Sequence, residues 1–560
     1  MKVMKKIFLP LVCLLNVYII ADNNPFQEKH HHHHDKDDHH CHHDKHDEPF
    51  WDTKILVNRK LTAENVRTSA AVAQAFATKI GHQKTNGDLH RYKDKRGSYS
   101  KALAHKTNGM VQHKAFDSLV HALKSGNPSK FNEIILGGAA LLNDPQGAYA
   151  FTMEGADAAA YVIPAPPKLA SGQAAAEMVE LYWQALLRDV PFNQYNTNPI
   201  AANAIANLNT LSHFKGPQIS GSVTSQSLFR FGVPGDLVGP YISQFLYQPI
   251  PHHGTSIPQL YLPYMIGINY LTVVSDLLLV ENGGSTGEVN VFQAASNYIF
   301  TGRDLGTYVH KDYTTQAWVN AALILLGYGN AALDPHNPYV NNPTQSGFVT
   351  YGSAQVIELV NIAAEAALKA CWYQKWMVHL RLRPENFGLL VQQQIVGGAD
   401  YDLKKQLIKS PALTAVFNLY GTYLLPQMYP EGSPTHPSYP AGHAVIAGAC
   451  ATILKAFFNE NFPVENPMQP NASNTGLDPY VGTLLVGDEL NKLASNIGMG
   501  RDFAGVHYRS DVYEGMLLGE KIAISVLNDE AYTNNEKFKG FTLTKFNGKT
   551  VTVGKKVTVE

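Results

Sequence analysis

From about residue 170 onward, apolar side chains return every third or fourth position over runs of a dozen residues or more. Residues 174–187, 314–326, 354–382 and 444–458 all carry this spacing, which predicts helices with a buried face. Clusters of proline and glycine at 164–167, 249–254 and 334–343 separate the runs and read as loops. Strand-like alternation is scarce. It is clearest at the C-terminal end, where residues 541–546 and 549–553 flank Asn547-Gly548, a pair that favours a type I′ hairpin turn. The pattern predicts an all-α class chain with a small C-terminal β-hairpin. No internal repeat of solenoid period is visible, and no Ser/Gly- or Pro-rich linker divides the chain after about residue 50, so residues 49–560 read as one large unit.

Composition narrows the class further. Charged residues are 16% of the chain, below the quarter or so usual for soluble domains, while apolar content is 45%. That balance suggests surface buried by size or by self-association, and a homo-oligomer is expected. The formal net charge of -1 gives no electrostatic footprint for nucleic acid or an anionic membrane. At the N-terminus Lys2, Lys5 and Lys6 precede an apolar run from Ile7 to Ile20, followed by Ala21 and polar sequence. This reads as a signal peptide over residues 1–21, too short for a stable membrane span, and implies export. Residues 22–48 include a tract of histidine and aspartate that cannot bury apolar surface and is expected to be a disordered leader with some capacity for metal. Outside these segments only Cys371 and Cys450 remain, too few for a disulfide framework and best read as small buried hydrophobes.

Three separated segments carry the chemistry. In the first, Trp372, Lys375 and Arg383 stand three and eight apart, which on one continuous helix would place them within a quadrant, with Pro384 ending that helix and Arg383 at its C-terminal edge. Alone, the pair reads as a solvated basic face. In the second, prolines at 430, 434, 437 and 440 forbid helix up to Ala441, and the apolar run after it restores helical spacing, so Gly442 and His443 sit at a loop-to-helix junction. Free amides and the positive end of a helix dipole make such a junction an anion site, and His443 beside it can exchange a proton near neutral pH. In the third, Arg501 and His507 are six apart and can meet one ligand only if the chain bends, for which Gly505 is available; Asp511, four beyond His507, can fix its ring. Gly498-Met499-Gly500 does not make a dinucleotide site, since no buried strand precedes it. Together the segments describe a pocket for a tetrahedral oxyanion with proton-transfer groups beside it.

The run Pro434-Thr-His-Pro-Ser-Tyr-Pro-Ala-Gly-His443 and the run Gly500-Arg-Asp-Phe-Ala-Gly-Val-His-Tyr-Arg-Ser-Asp511 resemble the vanadium-dependent haloperoxidases, most closely the marine algal bromoperoxidases. Residues 180–191, 239–245 and 303–312 extend the likeness, which covers approximately residues 50–530, with a phosphatase type 2-like core at about 300–530. The resemblance implies two helical bundles and one vanadate(V) group per subunit, with no haem. It implies that His507 binds vanadium, that Lys375, Arg383, Arg501 and the Gly442 amide neutralise the oxygens, and that His443 is the acid/base partner. It further implies that Trp372 is a pocket wall, that His436 tunes halide or proton traffic, that Lys375 polarises peroxide, and that Asp312 is a counter-ion to the arginines. Hydrogen peroxide, a halide and small organic nucleophiles would be the substrates.

One position departs from the family pattern: Ala441 stands where the family has serine. Loss of one hydrogen bond to a charged group weakens anion binding by about 1.5–3 kcal/mol, which favours bromide or iodide over chloride, the hardest of the three to oxidise. Two other readings share the motifs: an acid phosphatase of the same superfamily, with His507 as nucleophile and His443 as acid, and a secreted metal- or anion-binding protein without turnover.

Overall fold

The computed structural model describes residues 53–77 and 81–559, so the leader and the histidine tract lie outside the described residues. The chain divides into two compact units, Met1–Leu61 and Thr62–Glu560, and the second holds the whole candidate site.

The fold of this second unit is mostly helical, in two groups. One is built by the helices Gly302–Lys311, Ser353–Trp372, Gly442–Phe457, Val486–Phe503 and Arg509–Glu530, which pack on one another; the other gathers Gly172–Leu187, Pro199–Asn209, Lys405–Ile408 and Pro411–Tyr420. Helix Gly442–Phe457 lies at the centre of the first group, with every residue from Ala444 to Phe457 buried, as a helix apolar on all sides must be. It meets helix Arg509–Glu530 at glycine contacts. A Cβ at Gly448 would lie 2.0 Å from the Met516 carbonyl, and one at Gly519 would lie 2.0 Å from the Val445 carbonyl, so only glycine permits this approach. The close crossing brings the start of one helix, where His443 sits, against the start of the other, just after His507.

The helices at 174–187, 314–326 and 444–458 form within a few residues of their expected bounds, as Gly172–Leu187, Gln316–Gly327 and Gly442–Phe457. The run 354–382 does not. Helix Ser353–Trp372 passes into a π-helical stretch, Tyr373–His379, and ends at Leu380, whose φ is 45°. Pro384 then opens the next helix, Pro384–Ile395, with Arg383 as its N-cap. Arg383 is therefore not at a helix C-terminus: Pro384 is not a terminator but the first helical residue, where its missing N–H is not needed.

The C-terminal hairpin gains a third strand. Phe541–Thr544 pairs with Thr550–Val553, which pairs with Val557–Val559, all antiparallel. The turn is not type I′. Gly548 N–H donates to Lys545 O (2.9 Å), so Phe546 and Asn547 are the central residues and Gly548 alone takes a positive φ, as in a type I turn with a bulge. The 249–254 loop also holds part of a short strand pair, Ile250–His252 with Thr255–Ile257. Cys371 and Cys450 are buried free thiols. No described helix is long and apolar enough to cross a membrane.

Candidate active site

The three segments converge. Lys375, carried inward by the π-helical stretch, is fully buried and donates from Nζ to the carbonyls of Pro437 (2.6 Å) and Ser438 (2.8 Å), on the proline loop. Arg383 is fully buried too. Its Nε donates to His436 O (2.9 Å), one Nη to Val506 O (2.7 Å), and its guanidinium approaches the His507 ring at Nε2 (3.1 Å) and the His436 ring at Nδ1 (3.0 Å). Arg501, at the end of helix Val486–Phe503, donates to Val309 O (2.9 Å) and leaves its Nε buried without a partner. Gly505 turns the chain after Arg501 with a φ of 83°, and a Cβ there would meet the Gln427 side chain at 2.9 Å, so the bend requires glycine.

Among the described residues, none of these three cations has a carboxylate within ion-pair distance; their partners are carbonyls, a hydroxyl and imidazoles. Their charges act on one another. Burial lowers Lys375 to about 7, and Arg383 and Arg501 contribute to that fall. Burial also lowers Arg383 to about 10, with Arg501 reinforcing it against the pull of Asp511. An uncompensated buried cation is expensive and three together more so, which makes the cluster a demand for a multiply charged anion.

The histidines are set around the cluster with defined roles for each nitrogen. His507 Nδ1 lies 2.9 Å from Asp511 Oδ2, which fixes Nδ1 as the donor and leaves Nε2 with a lone pair facing Arg383. Burial, then Arg383, Lys375 and Arg501, push His507 well below the ordinary histidine range, so the ring is neutral and Nε2 is available as a ligand. Asp511 is held in turn by Arg381 (2.5 Å), the Ser438 hydroxyl and the Tyr508 N–H (3.2 Å). Burial, then Lys375 and Arg383, likewise lower His436, whose ring packs 4.9 Å from that of Trp372. Trp372 Nε1 donates to Asn143 O at 3.3 Å, which holds its ring beside His436.

Gly442 opens its helix, and a Cβ there would meet Trp372 and Leu368 only at ordinary distances of 3.6 and 3.9 Å, so protein packing does not require the glycine. Ala441 is the N-cap and offers no side-chain bond to the helix amides. His443 Nε2 lies 3.0 Å from Asp312 Oδ1. Asp312 is thus the partner of His443 and not a counter-ion to the arginines: at the C-terminal end of helix Gly302–Lys311 it reaches the neighbouring helix start, while Arg501 is occupied by the carbonyl of Val309 three residues earlier.

Two features of the site escape the sequence patterns. Arg381 pairs with Glu177 (2.9 Å) as well as Asp511 and so orients the His507 support. The signal for it was Glu177 and Glu180, two carboxylates inside an otherwise apolar helix that must find cations. The other is the group formed by Tyr264, His310, Tyr429 and Glu431 beside Arg501.

The donor set fits vanadate. Three cations, a helix start and one imidazole lone pair suit an oxyanion bound through a single nitrogen, and among the described residues no three His, Cys, Asp or Glu side chains converge as they would around a divalent cation. Residues 355–535 match the model of the second helical-bundle domain of VCPO. The vanadium-dependent bromoperoxidase of Corallina officinalis is 33% identical over 89% of this chain and 99% of its own.

The chain belongs to the vanadium haloperoxidase family. A further vanadium-dependent bromoperoxidase, from Ascophyllum nodosum, is 34% identical over 84% of this chain and 88% of its own. The homohexameric structure of the second vanadate-dependent bromoperoxidase of that alga superposes with a TM-score of 0.85 at 28% identity, covering 90% of this chain and 91% of the other. The family's helical fold therefore extends over nearly all of the chain.

Proposed function

We propose that the protein is a vanadate-dependent haloperoxidase that oxidises bromide or iodide with hydrogen peroxide to a hypohalous acid equivalent, which halogenates organic nucleophiles. The observation that carries this reading is the gathering of three buried, carboxylate-free cations around one neutral histidine, Arg383 at its lone pair and Lys375 and Arg501 near enough to lower it, with a second histidine at the adjoining helix start.

Lys375, Arg383, Arg501 and the Gly442 amide hold the negative charge of the oxyanion. His507 supplies Nε2 as the ligand, kept in position by Asp511. Bound vanadate supplies Lewis acidity toward peroxide without change of oxidation state or need of haem. His443 would hold or move a proton beside the anion: Asp312 engages its Nε2, so Nδ1 is the atom that would give or take it. Lys375, held by the carbonyls of Pro437 and Ser438, would polarise bound peroxide with its ammonium. His436 and Trp372 form the wall on the halide side. Ala441 removes one hydroxyl donor, which supports bromide or iodide over chloride. The low charge content and the homohexameric relative support a homo-oligomer, and the Lys-rich apolar N-terminus supports export of the protein.

The test is turnover of the purified, vanadate-loaded protein. Bromide or iodide with peroxide should halogenate a phenolic dye and chloride should not. Hydrolysis of an aryl phosphate without halide oxidation would favour the phosphatase reading, and neither activity would favour an anion-binding protein.

A further inference from the structure

We propose that the cavity beside Arg501 holds the organic acceptor, a small neutral phenol or enol, and that Glu431 is the base that orients and deprotonates its hydroxyl; this deepens the haloperoxidase reading and rests on it. The cavity measures about 300 Å³; Ala140, Val280, Tyr429 and Pro434 give it apolar walls, and Lys101 and Arg501 line it beside Glu431. Arg501 belongs to the cation cluster as well, so a molecule in this cavity lies next to the place where oxidised halide is formed. One or two rings fit the volume against the apolar walls.

Glu431 is pinned for a purpose that pairing alone does not explain. Its Oε1 meets His310 Nε2 at 2.7 Å; His310 is clamped from behind by the Tyr264 hydroxyl on Nδ1 (2.6 Å) and stacks on Tyr429 at 3.6 Å between ring centres. The Glu431 carbonyl holds Lys101 Nζ (2.7 Å), itself paired with Glu385 (2.7 Å). With side chain and backbone both fixed, no other described residue donates to Oε2, on a side chain that is 54% exposed at the cavity. A carboxylate oxygen held there can accept from the hydroxyl of a neutral acceptor.

The step balances as phenol plus hypohalous acid giving halophenol plus water. Glu431 takes the hydroxyl proton as the ring carbon forms its bond to halogen. The halogen–oxygen bond breaks, its electron pair goes to oxygen, and that oxygen receives the proton through Glu431 and leaves as water. The halodienone so formed tautomerises: the ring carbon loses its proton and the carbonyl oxygen gains one, giving the halophenol. Glu431 is the catalytic residue of this step and His310 a positioning residue.

The measurement is the ortho-to-para ratio of bromophenols made from phenol by the vanadate-loaded enzyme with peroxide and bromide, set against reagent hypobromous acid in the same buffer. The ratio does not depend on how much oxidant a variant makes. The wild type should depart from the reagent ratio by about tenfold, the worth of one hydrogen bond to a charged group. Glu431→Ala and the cavity-filling Ala140→Phe should return it to the reagent value, and Glu431→Gln should keep part of the bias. A wild-type ratio equal to the reagent's, with bromide still oxidised, overturns this proposal alone; a bias that survives Glu431→Ala overturns it too. Failure to oxidise bromide at all removes the haloperoxidase reading and this one with it. If Glu431→Ala does not fold, the wild-type and Ala140→Phe ratios still decide.

Discussion

Arg381 and Arg383 stand two residues apart, both buried on the same short stretch between a π-helical turn and a helix start, and they meet opposite environments. Arg381 lies between Glu177 and Asp511, and although burial alone would lower it, those two carboxylates more than reverse the effect and raise it. Arg509 is likewise matched by Glu180. Arg383 has carbonyls and imidazoles only, and it sits below its ordinary range. Here the arginine whose charge is answered inside the protein props up the histidine, and the one without a carboxylate partner lies beside that histidine's lone pair; want of a carboxylate alone does not mark a site, since buried Lys455 and Arg188 also have only carbonyl and amide partners. Residue type says nothing about which is which, because the difference lies entirely in where acids from distant segments arrive.

The comparison breaks most sharply in unfolding experiments. Arg381→Ala leaves Glu177 and Asp511 uncompensated and should destabilise by about 3–5 kcal/mol, seen as a large fall in apparent melting temperature with or without vanadate. Arg383→Met removes an unanswered charge, so the vanadate-free protein should melt at the same temperature or higher, while its response to vanadate shrinks. Equal loss of stability in both variants would end the distinction.

Next in size is the effect of the anion itself. Saturating vanadate at a hundred times its dissociation constant should stabilise the wild type by about 2.7 kcal/mol, and removal by chelator and dialysis should abolish both that increment and halide oxidation until vanadate returns. His507→Ala should retain little of the increment. Phosphate, of the same shape, should compete with vanadate for it.

Much of this architecture was legible in the sequence, and the failures have a common cause. Helices with a 3.6-residue apolar period can be placed because burial imposes that period locally. The glycine bend at Gly505 and the loop-to-helix junction at Gly442 follow from local backbone chemistry. The position of Arg383 is misread because a proline looks the same at the end of one helix and at the first turn of the next. The Asp312–His443 pair, the Glu177–Arg381 pair and the His310–Glu431 pair span more than a hundred residues each, and no local pattern encodes which distant acid arrives at which base. The third C-terminal strand is missed because Val557–Val559 is three residues long and carries too little alternation to register.

The unanswered charge should also appear in the pH dependence. Lys375 stands at about 7 in the fold against an ordinary 10.5, so unfolding takes up a proton between those values. The stability contributed by this group is full above 10.5 and is lost as pH falls toward 7, by at most about 1.4 kcal/mol per pH unit. Vanadate binding runs the other way: it favours the charged lysine, so affinity should fall as pH rises above about 7, by no more than about tenfold per unit from this group. Lys375→Met should remove both slopes. Chemical denaturation without anion and binding titrations with it, each as the difference between wild type and variant, give the two readings.

The smallest effect tests whether the site is tuned at its edge. Ala441 caps a helix without a side-chain acceptor and brings no hydroxyl donor to the helix start proposed to face the anion. A serine there has two uses, and they are read differently. If its oxygen turns to the helix amides, Ala441→Ser should raise stability by about 1 kcal/mol in the absence of vanadate, with binding little changed. If the hydroxyl donates to the anion, vanadate should bind about tenfold tighter or bromide turnover should rise, with the vanadate-free protein unchanged. The second outcome is expected, because in the proposed site three cations without carboxylate partners would already hold the anion against this helix start. Stability, affinity and turnover all unchanged would mean that the alanine carries no functional consequence and that the cations alone set the strength of the site.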